Sequence, residues 1–470
     1  MDQVTALQAI GVTVATINSN TTLAERRVIV EDLLSGHPRT RLLYVTPELC
    51  QTETFRRNLQ IIHSQGQLIR IAVDEAHCIS EWGHDFRPAY KELSWFRRTL
   101  NDPPCPISAF TATATPRVRS DIISLLGLDA SQLKIFNTPS ARPNIHYEIR
   151  YLSDFASDPT HPEDFQINDI ISYLNSIQTR RKARLDSSNS TNLPPISGIV
   201  YVPYRAITES LANALSSSGN NIHAVAYHAG LSNEDRSRIQ AMWSSPQPYE
   251  TTSSSDQAPS FALIIATNAF GMGIDNPHVR FVIHWSPPRS FEGFVQEAGR
   301  AGRDGRAAAS VVYYSPVERD RVLDRLKSDI EKARNRSGAG IGRGGNNPPE
   351  LQNLLARVQS FEKVVRYCET TTRCRHDLIR ELFGDVDLER MGSCSQIPVG
   401  DAQVCDFACD FCKEGREGIA KRKEKMAAER APEDFMDLNF AYLMQAMYPS
   451  EFPRRERAAN PLPFACHQCP

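Results

Sequence analysis

Long apolar runs are absent from this sequence of 470 residues. No stretch of about 18 or more apolar residues occurs, which excludes a helix that spans a bilayer. The opening residues, MDQVTALQAIGVT, have neither a basic segment nor an apolar core, so we expect no secretory signal. Net charge is nearly absent too, since 53 basic and 55 acidic residues leave −2. Composition alone therefore does not indicate nucleic acid, and any DNA or RNA site must be a local basic groove.

The sequence does have the composition of a globular protein, with 41% hydrophobic and 23% charged residues. Its length predicts roughly three domains of about 150 residues each. Over residues 1–330, short β-rich apolar runs alternate with helix-like stretches such as 25–35 and 208–216. This alternation is typical of α/β domains whose parallel sheets are covered on both faces. The predicted strands are residues 42–45, 68–73, 199–202, 261–266 and 281–283.

Polar segments interrupt this pattern and suggest the domain organisation. Three of them are rich in Ser, Pro or Gly, and we expect loops or insertions there: residues 180–197, 244–260 and 334–349. A solvated helix, rather than a DNA-binding arm, is predicted at 413–430. The expected boundaries are one α/β unit at 1–140, a second at 165–330, a helical cysteine-rich module at 350–415 and a charged tail at 416–470.

The first chemical motif is the string Asp74-Glu75-Ala76-His77, which follows an apolar strand. The carboxyl ends of parallel strands are where α/β folds bind ligands. Nucleotide hydrolysis needs two carboxylates there, one that holds Mg²⁺ and one that polarises the attacking water. We assign Asp74 to the metal and Glu75 to the general base. An ordinary strand end that caps a helix is the alternative, and the complete four-residue string argues against it.

The second motif is GRAGRDGR at residues 299–306, preceded by Gln296. Two arginines three residues apart on a helical turn, Arg300 and Arg303, present guanidinium groups on one face, and such groups suit a γ-phosphate. The glycines allow close approach to a phosphate or to a facing domain. A solvated basic surface is the alternative, but it would not need the glycine spacing.

Further strings extend the pattern. SAFTATATP at 108–116 places hydroxyl groups after a strand, where they can couple a hydrolysis site to a neighbouring domain. Four more strings are YVTPE at 44–48, CISEWGHDFRPAY at 78–90, YHAGL at 227–231 and ATNAFGMGID at 266–275. Together with the first two motifs they resemble the RecQ family of superfamily 2 DNA helicases. The segment 78–90 is similar to the aromatic-rich loop peculiar to that family.

The resemblance extends over about residues 1–415. It implies an α/β fold of two RecA-like parallel-sheet lobes, the first one incomplete, followed by a small helical zinc-binding module. It also implies an ATP-dependent 3′-to-5′ DNA helicase of repair and recombination that holds ATP and Mg²⁺ between its lobes. The catalytic residues it implies are Asp74, Glu75, His77, Gln296, Arg300 and Arg303. Nucleotide-binding residues would be Asp74, Asp275, Arg300 and Arg303. The nucleic-acid contacts, with aromatic faces stacked on bases, would be Trp82, Phe86, Arg87 and His228.

Cysteine is unevenly distributed, since six of the 11 cysteines lie between residues 368 and 412. In a chain without an export signal, this clustering indicates a metal more than disulfides. The Cys-x₃-Cys-x₂-Cys spacing places three thiolates on one loop, and a helix beginning near residue 374 would bring a fourth, which fits Zn²⁺. The family carries a similar module, and the predicted ligands are Cys374, Cys405, Cys409 and Cys412. Cys368 or Cys394 could replace one of them, and the pair at 466 and 469 is a weak signal.

The sequence also departs from the family pattern. It contains no G-x-x-x-x-G-K-[ST] phosphate loop, whose backbone N–H groups and lysine grip the β- and γ-phosphates, and no Gly-Lys dipeptide. We therefore expect a truncated form of a complete helicase, because both carboxylates and both arginines are intact. A paralogue that binds DNA without hydrolysing ATP is the alternative. The residues after Cys412 are too few for the winged-helix domain that many relatives carry.

The expected partners are single-stranded and branched DNA, with no membrane association. An RNA helicase is disfavoured by the aromatic loop and the cysteine module. The Ser/Pro insertions are typical of a eukaryotic chain, and a fungal source is suspected. The resemblance implies that a eukaryotic member of this family is nuclear. As written, the chain is expected to bind single-stranded DNA weakly and to hydrolyse ATP negligibly.

Overall fold

The structure is a computed structural model that describes residues 2–81, 86–152, 162–185, 195–244, 259–271, 276–336, 349–385 and 409–428. Its first unit has four short parallel strands: β1 Val14–Ile17, β2 Leu42–Val45, β3 Ile71–Val73 and β4 Ile107–Ala109. They pair as β1-β2 and β3-β4 in two separate sheets. The helices of this unit are α1 Asp2–Ala9, α2 Leu23–Leu34, α3 Glu53–Ser64, α4 Pro88–Lys91, α5 Ser94–Thr99 and α6 Pro116–Leu125, with 3₁₀ turns at Leu49–Gln51 and Ala76–Ile79.

Local chemistry explains where these elements begin. A capping box starts α2, because the Thr22 side chain accepts from the Glu25 N–H and the Glu25 carboxylate accepts from the Thr22 N–H. Strand β2 matches its prediction, but β3 occupies only the last three residues of the predicted 68–73. Its partner β4 follows Pro106, which has no N–H to extend the ladder, so the pairing begins at Ile71.

The second unit is one sheet of six parallel strands in the order β5-β10-β9-β6-β8-β7. Its strands are β5 Ile145–Tyr151, β6 Ile196–Tyr201, β7 Ile222–Tyr227, β8 Phe261–Ala266, β9 Val279–His284 and β10 Ala308–Tyr314. Every residue of β6 and β8 is buried, as expected for strands covered on both faces. The flanking helices are α7 Pro162–Leu185, α8 Arg205–Ser216, α9 Asn233–Ser244, α10 Phe291–Ala298 and α11 Pro316–Arg336.

Strand β5 starts this sheet earlier than the boundary of 165 predicted from the sequence. It pairs in parallel with β10 from Ile145 opposite Ala308 to Tyr151 opposite Tyr314. The predicted loop at 180–197 is likewise shorter, because α7 continues through Leu185, and residues 186–194 lie outside the described part. Most of the predicted loops at 244–260 and 334–349 also lie outside it.

Three helices form the last part of the described chain: α12 Pro349–Glu369, α13 Arg375–Phe383 and α14 Asp410–Ala428. Helix α13 confirms the helix expected near Cys374, and α14 confirms the one expected at 413–430. Side chains of α12 and α13, including Phe361, Tyr367 and Phe383, belong to the same core as Phe291 and Phe294 of α10. The module therefore packs directly onto one face of the second sheet.

Helix α14 also covers the edge of that sheet. The Asp410 carboxylate accepts from the Ile149 N–H at 3.0 Å, and Arg422 donates to the Ile149 carbonyl. Backbone groups of the edge strand β5 are thereby satisfied, which removes a site for unwanted strand pairing. Within the described ranges, no helix combines the length and the apolar character that a bilayer crossing requires.

Candidate active site and metal centre

A cavity of about 1750 Å³ lies between the two α/β units. The ends of β3 and β4 line it from the first unit, while α10 and the loop after it line it from the second. Among its lining residues are five of the six predicted catalytic residues: Asp74, Glu75, Gln296, Arg300 and Arg303. The structure therefore brings together two carboxylates and two arginines that lie more than 200 residues apart in the sequence.

The two carboxylates sit on an unusual turn. Strand β3 ends at Val73, and Glu75 adopts a left-handed conformation with φ 49°. Such a conformation costs a non-glycine residue about 1–2 kcal/mol. It is held by the Glu75 N–H, which donates to Asp74 Oδ1 at 2.9 Å, and by the Ala76 N–H, which donates to the Phe110 carbonyl at 2.9 Å. The strained turn directs adjacent carboxylates to the cavity, as strain at functional sites often does.

His77 lies behind these carboxylates and does not line the cavity. The residue is 2% exposed, and Nδ1 lies 3.3 Å from Glu75 Oε2 and 3.1 Å from Thr111 Oγ1. Thr111 belongs to the hydroxyl-rich segment 108–116, and its Oγ1 also accepts from the Thr113 N–H at 3.2 Å. His77 thus joins the loop after β3 to the loop after β4 and can orient the Glu75 carboxylate.

The two arginines differ in their surroundings. Arg300 is 6% exposed, and its buried Nε has no hydrogen-bond partner among the described residues. An unpaired buried donor beside a cavity is what an anionic ligand would satisfy. Arg303 is exposed and lines the same cavity. Two adjacent carboxylates and two arginines lining one cavity are a set of groups that fits a nucleotide bound with Mg²⁺.

The glycine spacing of this motif has a packing explanation. Gly302 has φ +60°, and a Cβ there would lie 2.6 Å from Asn144 Nδ2 and 2.8 Å from the Arg306 carbonyl oxygen. Asn144 Nδ2 donates to the Gly302 carbonyl at 2.9 Å. The glycine therefore allows the arginine-bearing loop to lie against the segment that leads into β5, rather than against a ligand.

The predicted nucleic-acid residues are only partly described. Trp82 and Asp275 lie outside the described residues. The Phe86 ring lies 5.2 Å from Lys91 Nζ, and the Arg87 N–H donates to the Cys78 carbonyl just before α4 begins. His228 lies in the other unit, is 7% exposed, and has both ring nitrogens engaged, with Glu209 Oε1 at 3.3 Å and the Gly230 N–H at 3.1 Å.

A second site is the thiol cluster of Cys374, Cys409 and Cys412, whose sulfur atoms lie within 4.8 Å of one another. The Sγ atoms of Cys374 and Cys409 are 3.7 Å apart, close to the edge of about 3.8 Å of a tetrahedron with Zn–S bonds of about 2.3 Å. A hydrogen bond with Cys374 and burial raise the pKa of the Cys409 thiol to about 11. A bound cation would favour the thiolate form of Cys409. Cys405 and Cys394 lie outside the described residues, and Cys368 is buried elsewhere in the core.

Sequence reasoning missed the ion pair beside these thiols. Arg375 and Asp410 are both fully buried and form a two-pronged pair, with Nε to Oδ1 at 2.8 Å and Nη2 to Oδ2 at 3.1 Å. Burial disfavours the guanidinium charge, but Asp410 more than offsets this and the pKa of Arg375 lies above its usual value. The available signal was their position, since each directly follows a predicted ligand.

The module also contacts the first unit and the segment between the units. The Asp385 carboxylate accepts from the Ser140 N–H at 2.8 Å and from the Ser140 hydroxyl at 3.0 Å. A Cβ on Gly384 would lie 2.6 Å from Pro116 Cγ, at the start of α6. Helix α13 therefore ends at a point where the module, the first unit and the connecting segment meet.

Comparison with known families agrees with this arrangement. Residues 1–122 match the DEAD/DEAH box helicase model, residues 191–305 match the helicase conserved C-terminal domain, and residues 327–413 match the RecQ zinc-binding model. The first two define a superfamily 2 helicase core, and the third is specific to one branch. The chain belongs to the RecQ family of DNA helicases. Its fold is the parallel-sheet RecA-like helicase fold followed by a RecQ zinc-binding region.

Curated relatives of this chain are helicases too. The ATP-dependent DNA helicase Q5 of Mus musculus is 35% identical over 412 residues, which cover 88% of this chain and 36% of that protein. The ATP-dependent helicase SGS1 of Saccharomyces cerevisiae is 30% identical over 424 residues, 90% of this chain and 24% of SGS1. The chain thus spans about a third or less of the length of these relatives. Among solved structures, Mycobacterium smegmatis helicase Lhr bound to ssDNA and AMP-PNP matches 71% of this chain and 39% of Lhr, with 18% identity and a TM-score of 0.43.

Proposed function

We propose that this protein is an ATP-dependent 3′-to-5′ DNA helicase that acts in DNA repair and recombination in the nucleus. The observation that carries the proposal is the cavity that joins Asp74 and Glu75 of one unit to Arg300 and Arg303 of the other. Catalytic groups divided between two units respond to their separation, so hydrolysis can be coupled to relative movement. Similarity to the ATP-dependent DNA helicase Q5 supports DNA as the substrate.

The proposed roles follow from the chemistry of each group. ATP with Mg²⁺ supplies the phosphoryl group to be transferred and the cation that neutralises it. Asp74 would hold the cation, and Glu75 would accept the proton of the attacking water while His77 fixes its carboxylate. Arg300 and Arg303 would stabilise the charge that develops on the phosphate. Gln296 lines the same cavity, and Asp275 is proposed to contact the nucleotide.

Nucleic acid is proposed to bind across both units. Trp82, Phe86 and Arg87 would contact single-stranded or branched DNA from the first unit and couple it to the Asp74 turn, which lies a few residues upstream. His228 would act from the second unit. Zinc would be held by Cys374, Cys405, Cys409 and Cys412 and would stabilise the module rather than take part in the chemistry.

The test of the arginine role uses this chain extended upstream by a phosphate loop. Removing an arginine finger lowers phosphoryl transfer by about 10³-fold or more, so Arg303→Ala should lose DNA-stimulated ATPase by that factor. DNA affinity, measured by fluorescence anisotropy, should stay unchanged. Arg306→Ala is the matched control, because Arg306 is exposed and does not line the cavity. Loss of DNA binding with normal turnover in Arg303→Ala would contradict the proposed role.

One observation favours a second candidate, a DNA-binding scaffold without ATP turnover. Residues 1–470 contain no phosphate-loop motif and no Gly-Lys dipeptide. Phosphoryl transfer depends almost entirely on positioning and electrostatic stabilisation of the triphosphate, which that loop provides. An extended chain that carries the loop and still fails to hydrolyse ATP on DNA would favour the scaffold. Turnover by the extended chain alone would favour the helicase.

A further inference from the structure

Arg142, a half-buried residue of the segment between the two units, holds the turn that follows α10. Its Nη1 donates to the Gly299 carbonyl at 3.0 Å and to the Ala301 carbonyl at 3.4 Å. Its Nη2 donates to the Gly302 carbonyl, and the residue also lines the cavity. Gly299 and Ala301 are the neighbours of Arg300 on either side. One guanidinium group therefore binds the carbonyl groups of both residues that flank this arginine.

The turn begins directly at the carboxyl end of α10. Helix α10 ends at Ala298, and the N–H groups of Arg300 and Ala301 donate back to the carbonyls of Glu297 and Ala298 at 3.1 Å each. Carbonyl groups at and beyond a helix end lack an intrahelical donor, and an arginine side chain is one of the groups that can bind them. The guanidinium charge also lies at the negative end of the helix dipole. Arg142 thus caps α10 where the chain leaves the helix to present Arg300.

The backbone of Arg142 is itself fixed to the second unit. Its carbonyl accepts from the Ile145 N–H at 3.1 Å where β5 begins, and a hydrogen bond joins its backbone to the side chain of Tyr147, which is 1% exposed. Asn144 holds the same loop further along, because its Nδ2 donates to the Arg306 carbonyl at 2.8 Å. Side chains of one short segment therefore tie the arginine-bearing loop to β5.

The positive charge of Arg142 is held at an electrostatic cost. Burial, and to a lesser extent the positive charge of Arg303, lower the pKa of the Arg142 guanidinium from its ordinary value, although Tyr147 and Asp304 act in the opposite direction. Its donors bind carbonyl groups rather than a carboxylate. A smaller or neutral side chain would avoid this cost, but it would lack the planar fork that binds several carbonyls at once. A charged group kept in this way beside catalytic residues indicates a role in the site.

We propose that Arg142 is a positioning residue for phosphoryl transfer, which holds the turn after α10 so that Arg300 meets the charge developing on the phosphoryl group. The proposal rests on the ATP-hydrolysing function above and deepens it. A charged donor stabilises a transition state best when it is held in place beforehand, because no reorganisation is then needed. Arg300 is a long side chain between a glycine and an alanine, so its direction depends on support from outside the turn.

The test is DNA-stimulated ATP hydrolysis by the chain extended upstream by a phosphate loop. Arg142→Gln should lower kcat about 10²-fold, as a displacement of about 1 Å of a catalytic group does, and should leave the KM for ATP within about twofold. Added to Arg300→Ala, it should lower kcat no further than Arg300→Ala alone, because a positioning residue acts only through the residue that it positions. Arg142→Lys should recover only part of the loss, since an ammonium group lacks the planar fork.

Arg280→Gln is the matched control, because Arg280 also holds this loop but at its far end, through the Ala307 carbonyl at 3.3 Å and the Asp304 carboxylate at 2.8 Å. It should leave kcat near wild type. On the 470-residue chain, hydrogen exchange at residues 300 and 301 should be faster in Arg142→Gln than in wild type and unchanged in Arg280→Gln. Thermal unfolding shows whether Arg142→Gln is folded at the assay temperature. If it is not, Arg142→Lys is compared in its place.

Wild-type kcat in Arg142→Gln, or a further loss in the double variant, would overturn the positioning role while leaving the ATP-hydrolysing function intact. A raised KM for ATP with normal kcat would make Arg142 a direct phosphate ligand instead. An equal loss of kcat in Arg280→Gln would assign the effect to the loop as a whole and would also overturn the proposal. If the extended wild-type chain hydrolysed no ATP, the proposed function and the positioning role would fall together.

Discussion

The two α/β units differ in how they are held together. Among the described residues, the core of the first unit has 12 buried side chains, whereas the larger core of the second unit and its module has 32. The first unit has strands of three or four residues in two separate sheets, and most of the large exposed hydrophobic side chains, such as Leu23 and Ile69, belong to it. The carboxylates of the cavity therefore lie on the less strongly packed unit and the arginines on the more strongly packed one.

The cysteine-rich module adds to the packing of the second unit more than to that of the first, because most of its contacts are with the second unit. Helix α14 covers β5, and aromatic side chains of α12 and α13 complete the core under α10. Its contacts with the first unit and the connecting segment are fewer: Gly384 lies against Pro116, Asp385 accepts from Ser140, and Asn353 Nδ2 donates to the Glu81 carbonyl at 3.4 Å. Parts of a protein that open at low free energy are those with few buried contacts, so the first unit is the part expected to move when ligands bind.

The largest effect is expected from the thiol cluster. Cys409→Ala should lose zinc and destabilise both the module and the second unit, because binding free energy on the order of 10 kcal/mol is coupled to folding in small zinc sites. Metal analysis of the purified chain and thermal unfolding measure this. Cys368→Ala is the control, since Cys368 is buried but lies outside the cluster, and it should keep the metal. Full zinc content in Cys409→Ala would rule out the assignment.

The buried ion pair should come next. Asp410→Ala leaves the Arg375 guanidinium buried without a partner and removes the acceptor of the Ile149 N–H, so we expect a loss of about 3–5 kcal/mol. Denaturant unfolding measures the loss, and hydrogen exchange should show faster exchange at Ile149. Asp329→Ala removes the acid of a half-exposed pair on α11 and should change stability by less than about 1 kcal/mol. Equal effects of the two substitutions would mean that the module does not stabilise the sheet.

Some strands of the second unit were predicted from the sequence and others were not, for a physical reason. Strand β8 was predicted at its observed bounds because a strand covered on both faces is a continuous apolar run. Strand β5 has the alternating burial of an edge strand, and its place beside β10 depends on residues far along the chain. The chemical strings identified Asp74, Glu75, Arg300 and Arg303, which the structure brings to one cavity. The Arg375–Asp410 pair joins residues 35 positions apart, and its sequence signal was only that each residue directly follows a predicted zinc ligand.

Gly384→Ala should lower the stability by less, and its effect should be confined to the junction between the module and the first unit. The residue has φ +68°, and a Cβ would lie 2.6 Å from Pro116 Cγ, so strain and overpacking together should cost about 1–3 kcal/mol. Hydrogen exchange should be faster in α6 and around Ser140 than in wild type, while zinc content should be unchanged. The control is Gly415→Ala, which also has positive φ but open space at its Cβ. If both variants lost the same stability, the contact with Pro116 would contribute nothing beyond backbone strain.

The smallest effects come from single methylene deletions, and they test the comparison of the two cores most directly. Ile122→Val on α6 and Ile264→Val on β8 both shorten a buried side chain and should each cost about 0.5–1.5 kcal/mol. Because the two residues belong to separate cores, we expect Ile122→Val to speed hydrogen exchange in the first unit only, and Ile264→Val to affect only exchange that requires opening of the second unit. Ile69→Val, at a side chain 81% exposed, should change neither. If Ile122→Val sped exchange equally in β6 and β8, the two units would unfold as one and the contrast between their cores would have no consequence for motion.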